Sequence, residues 1–206
     1  MSIDALLEQL KHPNPHLRDR AMWALAESED ETVIPRLMSV LNEEDTTYRR
    51  AAVKALGAVG PATIPLLVDA MLNSENVTVR GSAVKALAQV AVCYPEVPFS
   101  DEGMQGLTQA LQDSNPVVNI AAVMTLGEIG SSEAFDILLD AIKTTDNIAL
   151  SVTIANTFGS IRDARGAEVL QTLIDDESVD SYVRESAVSA LSRLELVMKN
   201  QPPQKD

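Results

Sequence analysis

Apolar residues recur along this chain at helical spacing, and the whole pattern returns about every thirty residues. The pattern is centred on an apolar anchor residue, which is in turn Leu25, Leu56, Leu87, Leu126, Phe158 and Leu191. The intervals between successive anchors are 31, 31, 39, 32 and 33 residues. Small or apolar residues stand three and four positions before each anchor, so these positions share one face of an α-helix. A period in this range indicates a repeat architecture.

Each repeat also marks where its helices begin. An Asn or Asp lies eleven residues before every anchor, at Asn14, Asp45, Asn76, Asn115, Asn147 and Asp180. Such a side chain accepts a hydrogen bond from a first-turn N–H and stabilises the helix by about 1 kcal/mol. A second apolar column precedes the anchors by 15 to 17 residues, at Leu10, Leu41, Leu72, Leu111, Ile142 and Ile174. Each repeat is therefore predicted to be two antiparallel helices joined by a short turn.

Six such pairs give about twelve helices, and each pair can bury its apolar face only by stacking on the next. We predict an all-α fold, an α-solenoid of about six helical hairpins, forming one elongated domain over residues 1–198. The predicted units are approximately 3–28, 31–60, 61–93, 103–130, 131–161 and 163–198, with an insertion at 91–102. Residues 199–206 are polar with two prolines and are predicted to form a disordered tail.

An arginine column accompanies the helix starts. It lies seven residues before the anchor, at Arg18, Arg49, Arg80 and Arg184, with Asn119 in the fourth unit and Ser151 in the fifth. A cation that returns with the repeat suggests a structural role. We expect these guanidinium groups to donate hydrogen bonds to turn carbonyls, or to the capping residue of an adjacent unit.

The order of these features resembles HEAT-like repeats. In the clearest copies a capping residue is followed by Val-Arg, as at Val79-Arg80, and then by Ala-Val-x-Ala-Leu-Gly-x-Val-Gly, as in residues 52–60. The resemblance covers roughly residues 3–198 and is closest to the short repeats named for the phycobilisome bilin lyases. Length and repeat number also resemble the IaiH-type proteins of cyanobacteria, which are associated with iron–sulfur metabolism. Such a resemblance implies a fold more than a function.

Charge and composition narrow the possible partners. The chain has 16 Lys and Arg against 30 Asp and Glu, a net charge of −14. Nucleic-acid binding needs clustered cations, so nucleic acid is not expected as the partner. A single cysteine rules out an intramolecular disulfide framework. No apolar run approaches the ~20 residues that span a bilayer, and we expect no signal peptide before the first repeat. We expect a soluble, cytoplasmic protein of unknown oligomeric state.

No motif for catalysis or metal binding is present. Cys93 has no neighbouring histidine or cation to lower its pKa. His12 and His16 are predicted to be turn or surface histidines. One cysteine and two distant histidines cannot hold an iron–sulfur cluster, which normally takes four cysteine ligands. The sequence therefore assigns no catalytic residue, no metal site and no resident cofactor, although a bilin is conceivable as a transient ligand.

A partner surface is predicted on the exposed face of the second helices, at positions six and two before the anchor and two after it. In HEAT-like solenoids these helices line the concave side. The candidate partner-binding residues there are the cations Arg50, Lys54 and Lys85, the apolar Ile120, Met124 and Val152, and Trp23. Exposed apolar side chains often mark interaction sites. The alternatives are that neighbouring helices bury the apolar residues and that Trp23 only covers the end of the array.

The insertion at 91–102 carries two further candidates, Tyr94 and Phe99. Insertions in repeat arrays project as loops, often from the binding face. Either these aromatic residues contact a partner, or the second helix is longer here and the aromatic residues pack back on the array.

Three functions fit the sequence. The favoured one is a non-enzymatic scaffold or chaperone-like adaptor that binds proteins. The second, implied by the resemblance, is a phycobilin lyase subunit or a chromophore-attachment chaperone for phycobiliprotein subunits. Such lyases join a bilin to a cysteine of the phycobiliprotein, so they need no nucleophile of their own. The third, also from the resemblance, is an accessory protein in iron–sulfur cluster biogenesis that acts through contacts with iron–sulfur proteins.

Overall fold

The structure is a computed structural model and describes residues 1–199. The chain divides into two compact units, Met1–Thr125 and Leu126–Asp206. Each unit is described by itself below, and the prediction of one domain stays a prediction. Lys199 is the last residue of the last helix. The rest of the predicted tail, 200–206, lies outside the described residues.

Residues 1–199 contain twelve α-helices and no strand, so the all-α solenoid class of fold is confirmed. In chain order the helices are α1 Ile3–Gln9, α2 Pro15–Ala26, α3 Val33–Val40, α4 Thr46–Val59, α5 Ile64–Asn73, α6 Val77–Cys93, α7 Asp101–Ala110, α8 Pro116–Ile129, α9 Ser132–Thr144, α10 Ile148–Phe158, α11 Arg165–Asp175 and α12 Ser181–Lys199. Consecutive helices pair as hairpins, so the even-numbered helices are the predicted second helices.

All six predicted caps are confirmed. Asp45 accepts hydrogen bonds from the backbone N–H groups of Thr47 at 2.8 Å and Tyr48 at 3.2 Å. The capping side chains of the other five hairpins accept in the same way, at Asn14, Asn76, Asn115, Asn147 and Asp180. These contacts satisfy N–H groups that a helix start otherwise leaves without a partner. The second helix of every hairpin therefore begins where the sequence predicts.

The arginine column is confirmed as structural in the first unit. Arg18 donates to the carbonyls of His12 at 2.7 Å and Pro13 at 2.9 Å. Arg49 and Arg80 donate to the equivalent pair of carbonyls in their own hairpins. Asn119, which replaces the arginine in the fourth hairpin, reaches the first of these carbonyls, on Asp113. The Nε atom of Arg184, the fourth arginine of the column, is instead buried and has no hydrogen-bond partner among residues 1–199.

One arginine of the column also joins two hairpins of the first unit. Arg80 donates to both carboxylate oxygens of Asp113, at 2.8 and 3.2 Å, and both side chains are largely buried. Burial alone would raise the pKa of Asp113. The hydrogen bonds from Arg80 and from the backbone N–H of Asn115 outweigh it and lower that pKa.

The second helices of the first unit pack at very short range. The anchors Leu25, Leu56 and Leu87 are completely buried. Next to Leu56, a Cβ atom built on Gly57 would lie 2.2 Å from the Cβ of Gln89 on α6. A hydrogen in place of a side chain is therefore required for α4 and α6 to approach as they do.

The core of the second unit is built around two phenylalanines. The rings of Phe135 on α9 and Phe158 on α10 are completely buried, with centroids 4.9 Å apart. The predicted buried face is incomplete on the last helix, where the anchor Leu191 is half-buried and Val188 is 50% exposed. Among residues 1–199 no further hairpin follows to cover these two side chains.

Within residues 1–199, no single helix has the length and apolar composition needed to cross a membrane. The pair Thr46–Val59 and Pro61–Asn73 meets that test only when joined across a bend of 115°.

Candidate functional site

The cationic candidates of the first unit all reach solvent. Arg50 and Lys54 lie one turn apart on α4, and Lys85 occupies the position of Lys54 on α6. Among residues 1–199 none of the three forms an ion pair. Trp23, at the same position on α2, is 50% exposed. The predicted face therefore does present unpaired positive charge and an aromatic ring.

A groove lies between α2 and α4 and has a volume of about 240 Å³. We call it the α2–α4 groove. It is lined by Pro15, Arg18, Asp19, Met22, Thr47, Arg50, Ala51 and Lys54. Three cations and one carboxylate give it a positive charge within a strongly acidic chain. Positive charge in a concave surface attracts anionic groups and holds them by charge-assisted hydrogen bonds.

The apolar candidates are only partly exposed. Met124 on α8 is 59% exposed, whereas Ile120 on the same helix and Val152 on α10 are half-buried. Two other positions of the predicted exposed face, Ala58 and Gly81, are buried, so the prediction is wrong there. The insertion explains the first of these, because Tyr94 covers Ala58.

The two aromatic residues of the insertion contact the first unit itself. Helix α6 extends to Cys93, and the next residue, Tyr94, donates its hydroxyl to the carbonyl of Ala58 at 2.6 Å. A Cβ atom on Gly60 would lie 2.6 Å from the Tyr94 ring, and one on Gly103 would lie 2.4 Å from the ring of Phe99. Both rings are half-buried. Their role in partner binding stays a prediction.

Cys93 has the properties of an unreactive thiol. Partial desolvation raises its pKa, and no cation compensates. Among residues 1–199, no three His, Cys, Asp or Glu side chains lie together in a way that could hold a metal ion.

A second groove lies in the second unit, between the first helices α9 and α11, and has a volume of about 370 Å³. We call it the α9–α11 groove. Its lining residues recur every three or four positions, on one face of each helix. They are Phe135, Leu139, Ile142 and Lys143 from α9 and Arg165, Glu168, Val169, Thr172 and Leu173 from α11. Most of this lining is apolar. Sequence reasoning missed the groove because it considered only the second helices as a binding surface.

Arg165 closes one end of the α9–α11 groove. Its guanidinium group lies 4.3 Å from the centroid of the Phe135 ring. It pairs with Asp136 at 2.6 Å and with Asp163 at 2.7 Å, and it donates to the hydroxyl of Ser132 at 3.0 Å. Hydrogen bonds from Arg165 lower the pKa of Asp163, and the same contact raises the pKa of Arg165. The partners on α9 and in the connection before α11 hold this side chain in one place.

The rim of this groove carries two further charges. Lys143 lies in the last turn of α9, and Glu168 lies in the first turn of α11. Within residues 1–199 neither forms an ion pair. The groove therefore combines an apolar interior with one free cation and one free carboxylate.

Comparison with known proteins identifies the class of protein. Residues 3–90 and 104–192 match the model of the HEAT-repeat family. The chain therefore belongs to the HEAT-repeat proteins. The gap between the two matched ranges contains the predicted insertion at 91–102.

Two relatives are similar over nearly their whole length. The chain is 58% identical over 197 residues to phycocyanin operon protein Z of Pseudanabaena tenuis, covering 96% of this chain and 97% of the relative. It is 31% identical over 185 residues to the bilin biosynthesis protein CpeZ of a Synechococcus strain, covering 87% and 99%. The resemblance to HEAT-like repeat proteins of the phycobilisome lyase type is thereby confirmed.

Solved structures agree on the fold. The complex of CpcE and CpcF of phycocyanin lyase from Nostoc matches with a TM-score of 0.51 and 20% identity, covering 75% of this chain and 96% of that chain. Human deoxyhypusine hydroxylase matches with a TM-score of 0.53 and 19% identity, covering 94% and 84%. At this identity the likeness concerns the fold alone.

Proposed function

We propose that this protein takes part in attaching bilin chromophores to phycobiliprotein subunits, as a lyase subunit or as a chaperone of the attachment. The observation that carries the proposal is the end-to-end similarity to phycocyanin operon protein Z and to the bilin biosynthesis protein CpeZ. Of the three functions that fit the sequence, the relatives favour this one over a general adaptor. No observation favours a role in iron–sulfur biogenesis.

The chemistry of the chain supports a binding role in this process. The phycobiliprotein supplies the cysteine sulfur, so the protein needs no nucleophile of its own. The one cysteine of this chain has a raised pKa, lies at the end of α6 and lines neither groove. The chain contributes binding surfaces. By holding the phycobiliprotein subunit and the bilin next to each other, it raises the rate of covalent bilin attachment through proximity.

The α2–α4 groove supplies the contact with an acidic group of the phycobiliprotein. Its volume of about 240 Å³ lies below the roughly 300–1,000 Å³ of typical ligand pockets. It is large enough for a carboxylate side chain and too small to enclose a tetrapyrrole. Arg50 and Lys54 have no internal ion-pair partner among residues 1–199, so binding breaks no existing ion pair.

Co-expression tests the proposal. A phycocyanin subunit, bilin-synthesis enzymes and a lyase that attaches bilin incompletely are produced in a bacterial host, with or without this chain. Covalent bilin is measured by zinc-induced fluorescence after denaturing electrophoresis. We expect the chain to raise the fraction of subunit that carries covalent bilin. An unchanged fraction with every phycobiliprotein subunit and lyase tested would contradict the proposal.

Charge reversal in the α2–α4 groove tests the surface. Arg50→Glu is expected to lower the gain in attachment, because it turns an attraction for a carboxylate into a repulsion. Arg162→Glu is the matched control, since Arg162 is exposed and does not line the groove. Equal effects of the two variants would exclude the α2–α4 groove as the docking surface while leaving the wild-type result intact.

A further inference from the structure

We propose that the α9–α11 groove binds one end of a free linear tetrapyrrole. The inference rests on the proposed function and extends it, because it assigns the chromophore to a particular site. It concerns the first helices of the second unit, which neither the repeat pattern nor the relatives single out.

Size separates this groove from the α2–α4 groove. The volume of about 370 Å³ falls within the roughly 300–1,000 Å³ that ligand pockets usually have. It lies near the lower end of that range. The groove therefore holds part of an extended four-ring chromophore, and the remaining rings stay outside it. Such partial enclosure suits a ligand whose reactive end must reach another protein.

The interior matches a flat conjugated ligand. Leu139 and Ile142 from α9 face Val169 and Leu173 from α11 across the groove, so both walls are apolar. Burial of conjugated rings against such walls is favourable because it removes apolar surface from water. These four side chains lie within two helical turns, a length of roughly 12 Å.

The end of the groove is preformed. Arg165 is fixed over the Phe135 ring by a carboxylate and a hydroxyl from α9 and by the carboxylate of Asp163, which lies just before α11. The Phe135 ring itself is fixed against Phe158. Side chains that are already ordered lose little entropy when a ligand binds, which favours affinity.

The two free charges distinguish a tetrapyrrole from other apolar ligands. A linear tetrapyrrole carries propionate carboxylates and ring N–H groups. Lys143 can pair with a propionate, and Glu168 can accept hydrogen bonds from ring N–H groups. A simple fatty acid would use Lys143 alone and would leave the Glu168 carboxylate beside a hydrocarbon chain. The opposite charges at the rim therefore favour the tetrapyrrole.

The test is a titration of the full chain with free phycocyanobilin, followed by visible absorption and by the circular dichroism induced in the bilin band. We expect saturable binding of one bilin per chain. Val169→Asp should raise the Kd about ten-fold or more, because it removes an apolar wall and places a carboxylate near the propionate. Lys143→Gln should raise it by about two- to five-fold, the usual value of an exposed ion pair.

Val92→Asp is the matched control for the apolar wall. Val92 is 51% exposed on α6 and does not line the groove. Far-ultraviolet circular dichroism checks that each variant is folded. Absence of bilin binding by the wild type, or an equal loss with Val92→Asp and Val169→Asp, would overturn the inference. In either case the attachment assay described above still decides the proposed function separately. Conversely, specific binding of bilin without any gain in covalent attachment would refute the proposed function but support the bilin site in the α9–α11 groove.

Discussion

Gly57→Ala is expected to force two helices of the first unit apart. A methyl group at this position would lie 2.2 Å from the Cβ of Gln89 and 2.9 Å from its backbone carbonyl carbon. Carbon atoms in contact relax to about 3.5 Å, so α4 and α6 would have to separate by roughly 1.3 Å. Rotation of the Gln89 side chain gives no relief, because its Cβ and backbone carbon move only with α6.

Two opposing terms set the magnitude. Overpacking of this kind costs about 1–3 kcal/mol. Alanine in place of glycine inside a helix returns about 0.5–1 kcal/mol. The difference spans about 0–2.5 kcal/mol, and its mid-range value is a loss of about 1 kcal/mol in the free energy of unfolding. For a chain of this size each kcal/mol corresponds to about 2–4 °C, so we expect the thermal midpoint to fall by about 2–4 °C.

Thermal unfolding followed by far-ultraviolet circular dichroism measures this change, and Gly81→Ala is the matched control. A methyl group on Gly81 would meet only the tip of the Val117 side chain, at 3.3 Å. That tip can move, so the gain in helix propensity should offset the contact and leave the midpoint nearly unchanged or raised. If Gly57→Ala were as stable as Gly81→Ala, close packing of α4 on α6 would not be what requires the glycine.

Three further changes test other contacts by the same thermal assay. Asp45→Ala removes the cap of α4 and should cost about 1 kcal/mol, and an unchanged midpoint would contradict it. Gly60→Ala should destabilise more than Gly130→Ala. Both glycines have positive φ, but only at Gly60 would a methyl group collide with a ring, at 2.6 Å. Acid should weaken the first unit through Asp113, whose pKa is lowered on folding. Its contribution is present above the unfolded pKa of about 3.9 and is lost as the pH falls below it. Asp113→Asn should flatten that part of the profile, and an equally steep profile would exclude the Arg80–Asp113 pair as its cause.

The fold could be predicted from the sequence because its signals are local. Each helix start depends on a cap and a spacing that lie within a dozen residues, as at Asp45 and Leu56. The failures occur where burial depends on a distant segment. Val188 follows the apolar pattern and is nevertheless half-exposed, because no later hairpin of the described chain covers it. Ala58 is buried because Tyr94 folds back on it across the insertion.

The candidate site was less predictable. Charge exposure at Arg50, Lys54 and Lys85 could be foreseen, because positions two and six before the anchor point away from the buried face. The α9–α11 groove could not be foreseen from the sequence, because its existence depends on the distance between two helices. The only local signal was the pair Asp163 and Arg165, two residues apart, and neighbouring opposite charges are common on any solvated surface. Asp136, which completes the cluster, lies 29 residues from Arg165 in the sequence.

The sequence and the relatives also rank the candidate functions differently. Residue types alone favoured a general adaptor, since an extended surface without a catalytic motif meets every requirement of that role. The bilin-related alternative came second because it depended on the resemblance. Relatives similar over nearly the full length favour the bilin-related alternative, which the residue types alone do not.

The turns inside the first three hairpins share a set of contacts that lie within the hairpin itself. In each, an arginine donates to two carbonyls five and six residues before it, and a cap is bonded to an amide two residues later. The residues that form these contacts in a turn therefore belong to the same hairpin as the turn. Duplication or deletion of one whole hairpin keeps these local contacts in the others. The packing between neighbours, and cross-hairpin contacts such as Arg80–Asp113, have to be matched again. Such a chain can change the length of its binding surface in steps of about thirty residues, by gene rearrangement or by design, without inventing a new turn.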